Sequence, residues 1–180
     1  LEINKLGHDE AEAYWKLRLE ALLKNPEAFL TTYEEALARK NPIESTAKNL
    51  QAATSDTYGA YMDGKLVGVV TMLRNGHEKA AHKADIVAMY VTESARSNGV
   101  GYELVKKAKH DAVLYGIEQL NLNVAADNQA AQHLYKKAGF TCYGLEKNAI
   151  KYQGRYVDEM QMVCFLTDQT NNMAKACTIE

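Results

Sequence analysis

The chain has 180 residues, enough for one domain with a tail. Its 47% apolar content fits a globular protein that buries roughly 70% of its unfolded surface without disulfide or metal staples. With 21 basic against 23 acidic residues, the formal net charge of -2 lacks the basic excess of a general nucleic-acid binder. The cysteines Cys142, Cys164 and Cys177 are odd in number and form no metal-ligand spacing, which argues against a secreted disulfide framework. The chain begins with Leu1 and shows neither a basic-then-apolar leader nor an apolar run near 18 residues. The expectation is a reduced, cytoplasmic setting, with no membrane partner.

In chain order, Glu2 to Leu6 reads as a short strand. Residues 9–24 read as a helix carrying Ala11, Trp15, Leu19, Leu22 and Leu23 on one stripe, ended by Asn25-Pro26. Residues 27–40 are partly helical. Asn41-Pro42-Ile43-Glu44 predicts a capped helix start, with the helix running to about Ala53. Thr57–Met62 and Lys65–Arg74 are strand-like around Asp63-Gly64, a two-residue hairpin signal. Lys83–Val91 is another strand, antiparallel to its neighbour across Asn75-Gly76. Residues 100–116 predict a helix with Leu104, Val105, Ala108, Ala112 and Tyr115 inward, closed by Gly116. Gln119–Val124 alternates as a half-buried strand, and Asn128–Ala138 is a short helix capped by Asp127 or Asn128. Phe140–Lys151 and Arg155–Leu166 are two long strands joined near Gln153-Gly154. The expected organisation is one domain over residues 1–166 and a polar tail over 167–180.

Arg96-Ser97-Asn98-Gly99-Val100-Gly101 lies between a strand and a helix. A turn feeding a helix start presents unpaired backbone N–H groups, whose partial positive charge favours an anion. Glycine allows close approach, and Arg96 adds a planar donor fork suited to phosphate oxygens. The physical reading is a pyrophosphate cradle. Tyr102-Glu103 stands where a Walker A loop needs Lys-Ser/Thr, and Leu104 where a dinucleotide fingerprint needs its third glycine. A ligand-free connection also fits this turn alone.

Arg96-x-x-Gly99-x-Gly101 follows Met89-Tyr90-Val91 and precedes a helix. Downstream comes Asn128-x-x-Ala131-x-x-x-Tyr135-x-x-x-Gly139-Phe140. Together these segments resemble the GNAT superfamily of acyl-CoA-dependent N-acetyltransferases, over roughly Ile86 to Phe140. The resemblance implies an α/β fold with a mixed, mostly antiparallel twisted sheet, split at its centre and flanked by about four helices. It implies acetyl-CoA as cosubstrate, wedged in the split, with no metal. The backbone of Met89, Tyr90 and Val91 would pair with the pantetheine arm. The amides of Arg96, Ser97, Asn98, Gly99, Val100, Gly101 and Tyr102 would hold the pyrophosphate. Asn128 would hydrogen-bond the arm, Ala131 would leave room for it, and Tyr135 would lie near the sulfur. Positions 128, 131 and 135 share one helix face, which supports the last set independently.

Acetyl transfer to an amine needs a donor for the leaving sulfur, a task that suits the Tyr135 phenol; packing with Leu134 and Ala138 in the core is the other reading of that position. It needs a carbonyl polariser, for which a backbone N–H near Met89 or Tyr90 is the candidate. It also needs the amine unprotonated. Asp85 stands where some relatives carry a catalytic Glu; a solvated strand-edge carboxylate is the other reading. Glu93 and the histidines are weaker bases. His77 and His82 read as solvent-facing rather than as metal ligands. Lys106, Lys107 and Lys109 form a wet helix face that would also attract the 3′-phosphate of CoA.

In such folds the amine acceptor site lies opposite the CoA cleft. Phe29, Tyr33, Glu34, Glu35, Tyr152 and Tyr156 are candidate lining residues, with the acidic pair facing a cationic amine or forming an ordinary helix surface. A catalytically silent acyl-CoA-binding module on the same fold is the alternative. A homodimer is common among relatives, though nothing in the sequence demands one, and no nucleic-acid partner is expected.

Overall fold

Alternating apolar residues and tight two-residue turns build one sheet here, and its connections decide where a ligand fits. The computed structural model describes residues 1–166; the expected tail at 167–180, with Cys177, lies outside the described residues. The strands are β1 (Glu2–Lys5), β2 (Ser55–Met62), β3 (Lys65–Arg74), β4 (Lys83–Val91), β5 (Gln119–Ala125), β6 (Thr141–Tyr152) and β7 (Arg155–Phe165). The α-helices are α1 (Ala11–Lys24), α2 (Tyr33–Leu37), α3 (Pro42–Leu50), α4 (Val100–Leu114) and α5 (Gln129–Lys137). The spatial order is β1-β2-β3-β4-β5-β7-β6. Neighbours run antiparallel except β4 and β5, which are parallel and joined through α4.

The hairpins follow from their turn residues. Asp63 and Gly64 take φ of 50° and 74°, and Gln153 and Gly154 take 47° and 79°. Two consecutive left-handed residues give the turn whose twist matches paired strands.

Each sheet face is covered. One face carries Tyr58, Val70, Met72, Ala84, Ile86, Leu120 and Leu122 against Leu104, Val105, Ala108 and Ala112 of α4. The other packs Val69 and Tyr90 against Leu17, Ala21, Ala47 and Leu50 of α1 and α3. A smaller cluster gathers Trp15, Leu22 and Ala36.

Three local expectations need correction. On α1 the buried residues are Ala11, Trp15, Leu17, Ala21 and Leu22, while Leu23 is exposed. The helix packs on two clusters at once, so its buried arc is wider than a single stripe and turned away from Leu23. Asn41 makes no side-chain cap; it sits at φ 50° before Pro42, and α3 ends at Leu50, its last buried anchor. Tyr115 is exposed and lies under the Arg74 guanidinium, 3.9 Å from the ring centre. Gly116 turns left-handed there, the Ile117 amide donates back to the Ala112 carbonyl at 2.9 Å, and Ile117 takes the buried place.

Leu104 is fully buried at the centre of the α4 face. Leu104→Ala is expected to lower unfolding free energy by about 2–5 kcal/mol. Urea denaturation checks this; a loss under about 1 kcal/mol would mean that α4 is not the main cover of this face.

Candidate active site

Strands β4 and β5 share only three register pairs, Lys83↔Gln119, Ala84↔Leu120 and Asp85↔Asn121. Beyond them β5 stays paired with β7 along its whole length, and β4 stays with β3 as far as Val91. The sheet therefore forks at the carboxyl ends of two parallel strands. Facing backbone edges at Ile86–Val91 and Leu122–Ala125 lose their ladder partner, which is where open α/β sheets take ligands.

A bulge in β4 steers the fork. Val69 pairs with Tyr90 and Thr71 with Val87, so Ala88 and Met89 oppose Val70 alone. Ala88 takes φ 52°, unusual for a residue with a Cβ. The extra residue adds local twist and bends β4.

The glycine turn lies past the end of β4. Ser97 and Gly99 take φ of 66° and 76°, and Gly99 is the N-cap of α4. A side chain on Gly99 would meet nothing within 4 Å, whereas one on Gly101 would lie 3.0 Å from Leu134 and 3.1 Å from Met89. Gly99 therefore serves the turn, and Gly101 serves the close approach of α4 to α5 and β4. Among the described residues, no amide from Ser97 to Tyr102 donates to a carbonyl or side chain. Six successive N–H groups stand open at a helix start. The Arg96 amide is different, since it donates to the Glu93 carbonyl at 3.2 Å.

The Arg96 side chain is committed elsewhere. Its Nε donates to the Val91 carbonyl at 3.0 Å and its Nη2 to Asn25 Oδ1 at 2.8 Å. It ties the turn to the end of α1. Tyr90 is likewise anchored: its hydroxyl donates to Glu20 Oε1 at 2.9 Å, beside Thr92 at 2.5 Å. Burial, and next the Glu20 carboxylate, push the Tyr90 phenol up to about 12.

On α5, Asn128 is the N-cap and accepts the Ala131 amide at 3.0 Å. Ala131, like Met89, Val91, Tyr102 and Leu134, is partly buried against the main core. Tyr135 is buried, edge-on to Phe140 with ring centres 5.8 Å apart. Its hydroxyl has no hydrogen-bond partner among the described residues, yet it is not sealed from solvent as the Tyr58 hydroxyl is. Burial raises the Tyr135 pKa well above the ordinary phenol value.

Asp85 is exposed at the last pair of the β4–β5 ladder, at the vertex of the fork. Glu93 is exposed in the turn after β4. Lys106 and Lys107 pair with Glu103 and Asp111, and Lys109 donates to the Ala138 carbonyl at 2.6 Å. His77 is exposed, and no cluster of three or more His, Cys, Asp or Glu suited to a metal occurs among the described residues. No described helix is long and apolar enough to cross a membrane.

A cavity of about 430 Å³ opens on the opposite face of the sheet, between α1, α3 and strands β3 and β4. Val87 and Ala88 of the bulge line it, together with Tyr14, Trp15, Arg18 and Arg39. None of Phe29, Tyr33, Glu34, Glu35, Tyr152 and Tyr156 lines this cavity. Phe29 and Tyr33 pack behind Trp15, Glu35 caps α2 through the Thr32 amide at 2.8 Å, and Tyr152 and Tyr156 flank the far hairpin. Sequence reasoning missed Arg18, although a signal was present: it falls three residues after Trp15 and four before Leu22, a charge within an apolar stripe.

Among known proteins, the chain is similar to streptothricin acetyltransferase of Escherichia coli, 29% identical over 108 residues, 60% of each chain. The first curated relatives are matched over 25%, 60% and 29% of their own length. The ribosomal-protein-alanine N-acetyltransferase of Brucella melitensis superposes with a TM-score of 0.78 at 22% identity, covering 92% of this chain and 99% of that one. The structure of yncA from Salmonella typhimurium with its cofactor acetyl-CoA superposes at 0.80 and 16% identity, covering 93% and 94%. At these identities the superpositions speak for the fold. The family profile of the Acetyltransferase (GNAT) family matches residues 18–140, more than half of the sequence, and the chain belongs to that family.

Proposed function

We propose that the protein transfers an acetyl group from acetyl-CoA to a primary amine of a small molecule or peptide, by direct attack with both partners bound. The observation that carries this reading is the run of six open amides, Ser97 to Tyr102, beside a forked sheet. Such a run fits a diphosphate, and the freed edges of β4 and β5 fit an extended amide-bearing arm between them. Acetyl-CoA supplies the activated thioester: the amine gains the acetyl carbon, the carbon–sulfur bond breaks, and CoA departs as the thiol.

The chain's own groups divide the remaining work. Asn128 keeps its side-chain N–H₂ to donate, since only its oxygen serves the cap. Arg96 positions the turn through Val91 and Asn25 rather than reaching for phosphate, so the anion is left to main-chain amides and the α4 dipole. A backbone N–H near Met89 or Tyr90, beside the bulge in β4, is the candidate to polarise the acetyl carbonyl. Tyr135 donates its proton toward the sulfur; its raised pKa keeps it protonated throughout the neutral and mildly alkaline range. Asp85 at the fork vertex is the candidate base for the ammonium proton, directly or through water.

Three outcomes are expected. Tyr135→Phe should lower kcat by about 10²–10⁴ while acetyl-CoA affinity and melting temperature stay near wild type, because the hydroxyl makes no hydrogen bond among the described residues. Steady-state kinetics and thermal melts check this; an unchanged kcat would favour a silent acyl-CoA-binding module. Next, kcat/KM should rise with pH toward the amine's own pKa, with no alkaline decline below about pH 10, since burial moves the phenol's proton loss above its ordinary value. A falling limb between pH 8 and 9 would contradict the role of Tyr135. Finally, Gly99→Asp should bind acetyl-CoA about tenfold more weakly than Gly99→Asn, with the gap narrowing in high salt. The two side chains tolerate the same left-handed turn and differ in charge, so equal affinities by calorimetry would place the diphosphate elsewhere.

A further inference from the structure

The cavity behind the fork has an electrostatic character that the transferase reading leaves unused. Among the described residues, Arg18 and Arg39 are its only charged lining residues, and no carboxylate lines it. Neither guanidinium forms an ion pair or a side-chain hydrogen bond among the described residues, while other surface lysines and arginines do. Arg18 is fixed without an anion: it stacks on Phe29, 4.5 Å from the ring centre, and its α1 neighbours hold it half-buried. Burial lowers the Arg18 pKa, with Tyr14 opposing and the nearby Arg39 charge adding to the effect. Two like charges share one cavity with no carboxylate between them among the described residues.

We infer that the acceptor is a primary amine whose own molecule carries a carboxylate, and that Arg18 and Arg39 hold that carboxylate. This rests on the transferase reading for the fate of the amine, though not for recognition of the anion. Planar guanidinium forks match a carboxylate through paired N–H donors. A space of about 430 Å³ suits a small molecule. Val87 and Ala88 of the β4 bulge line the same space, so a molecule anchored by its acid group lies against the strand at the fork. The remaining polar lining is neutral: Thr57 and Thr71 join hydroxyl to hydroxyl at 2.8 Å on the sheet. A bare polyamine would bring only positive charge into this space.

Trp15 lines the cavity and is the sole tryptophan of the chain, so its fluorescence reports binding without any turnover. The CoA-loaded protein would be titrated with L-amino acids, their amides and the matching decarboxylated amines; thiol release from acetyl-CoA would be followed in parallel. The expected result is an acid that binds at least about tenfold more tightly than its amide or amine. Arg39→Gln, at an exposed position, should remove most of that preference through KM, and Arg18→Lys, which keeps the charge but loses the fork, should reduce it. Arg18→Met is the stronger variant, with melts showing whether it folds. The inference is overturned if amides and amines bind as well as acids, if the preference survives Arg39→Gln and Arg18→Lys together, or if no acid perturbs Trp15. Acids that bind with this preference while no amine releases thiol would sink the transferase reading and leave the anion site standing.

Discussion

Backbone hydrogen bonds left without partners are the constraint on which this molecule turns. A sheet gains its stability by pairing every N–H and C=O, and unpaired groups are tolerated only where solvent or a ligand meets them. Here two parallel strands part company after Asp85 and Asn121, each held by its outer neighbour. Just beyond, six amides at the start of α4 find no acceptor among the described residues. Both features lie at the carboxyl ends of the same two strands, so an extended molecule with an anionic group and an amide-bearing arm satisfies them together.

The bulge at Ala88 links the two faces of the sheet. Its extra residue bends β4 at the fork, and Val87 and Ala88 there line the cavity on the α1–α3 face. One backbone irregularity thus adjoins both the fork and the cavity. Positive φ at an alanine carries strain that the surrounding ladder must hold in place, a cost that recurs at functional sites. Tyr135 and Arg96 show a related division of labour. The first keeps a free hydroxyl in a buried ring, and the second spends its donors on Val91 and Asn25 to position the turn.

Much of this could be read from residue types. Asp63-Gly64 announces a left-handed turn because few other pairs adopt it cheaply, whereas at Gln153-Gly154 only the glycine carries that signal; the mixed, mostly antiparallel sheet follows from the strands these turns join. The turn at Ser97–Gly101 and the shared face of Asn128, Ala131 and Tyr135 were legible for the same local reasons. The bulge was not, since Ala88 has no residue-type signature for positive φ; the surrounding register imposes it. Tyr115 and Leu23 looked inward by spacing but lost their places to Ile117 and to the second cluster beneath α1. The arginine-lined cavity draws on α1, α2, α3, the segment after α2 and three strands, so only the tertiary fold assembles it.

The most direct test follows the amide signals of Ser97 to Tyr102 by ¹H–¹⁵N NMR as acetyl-CoA is added. Occupation of the turn by the diphosphate predicts large downfield shifts and slowed hydrogen exchange concentrated at these six residues. Saturated binding that leaves these signals unmoved, with the changes falling elsewhere, would contradict the account at its root.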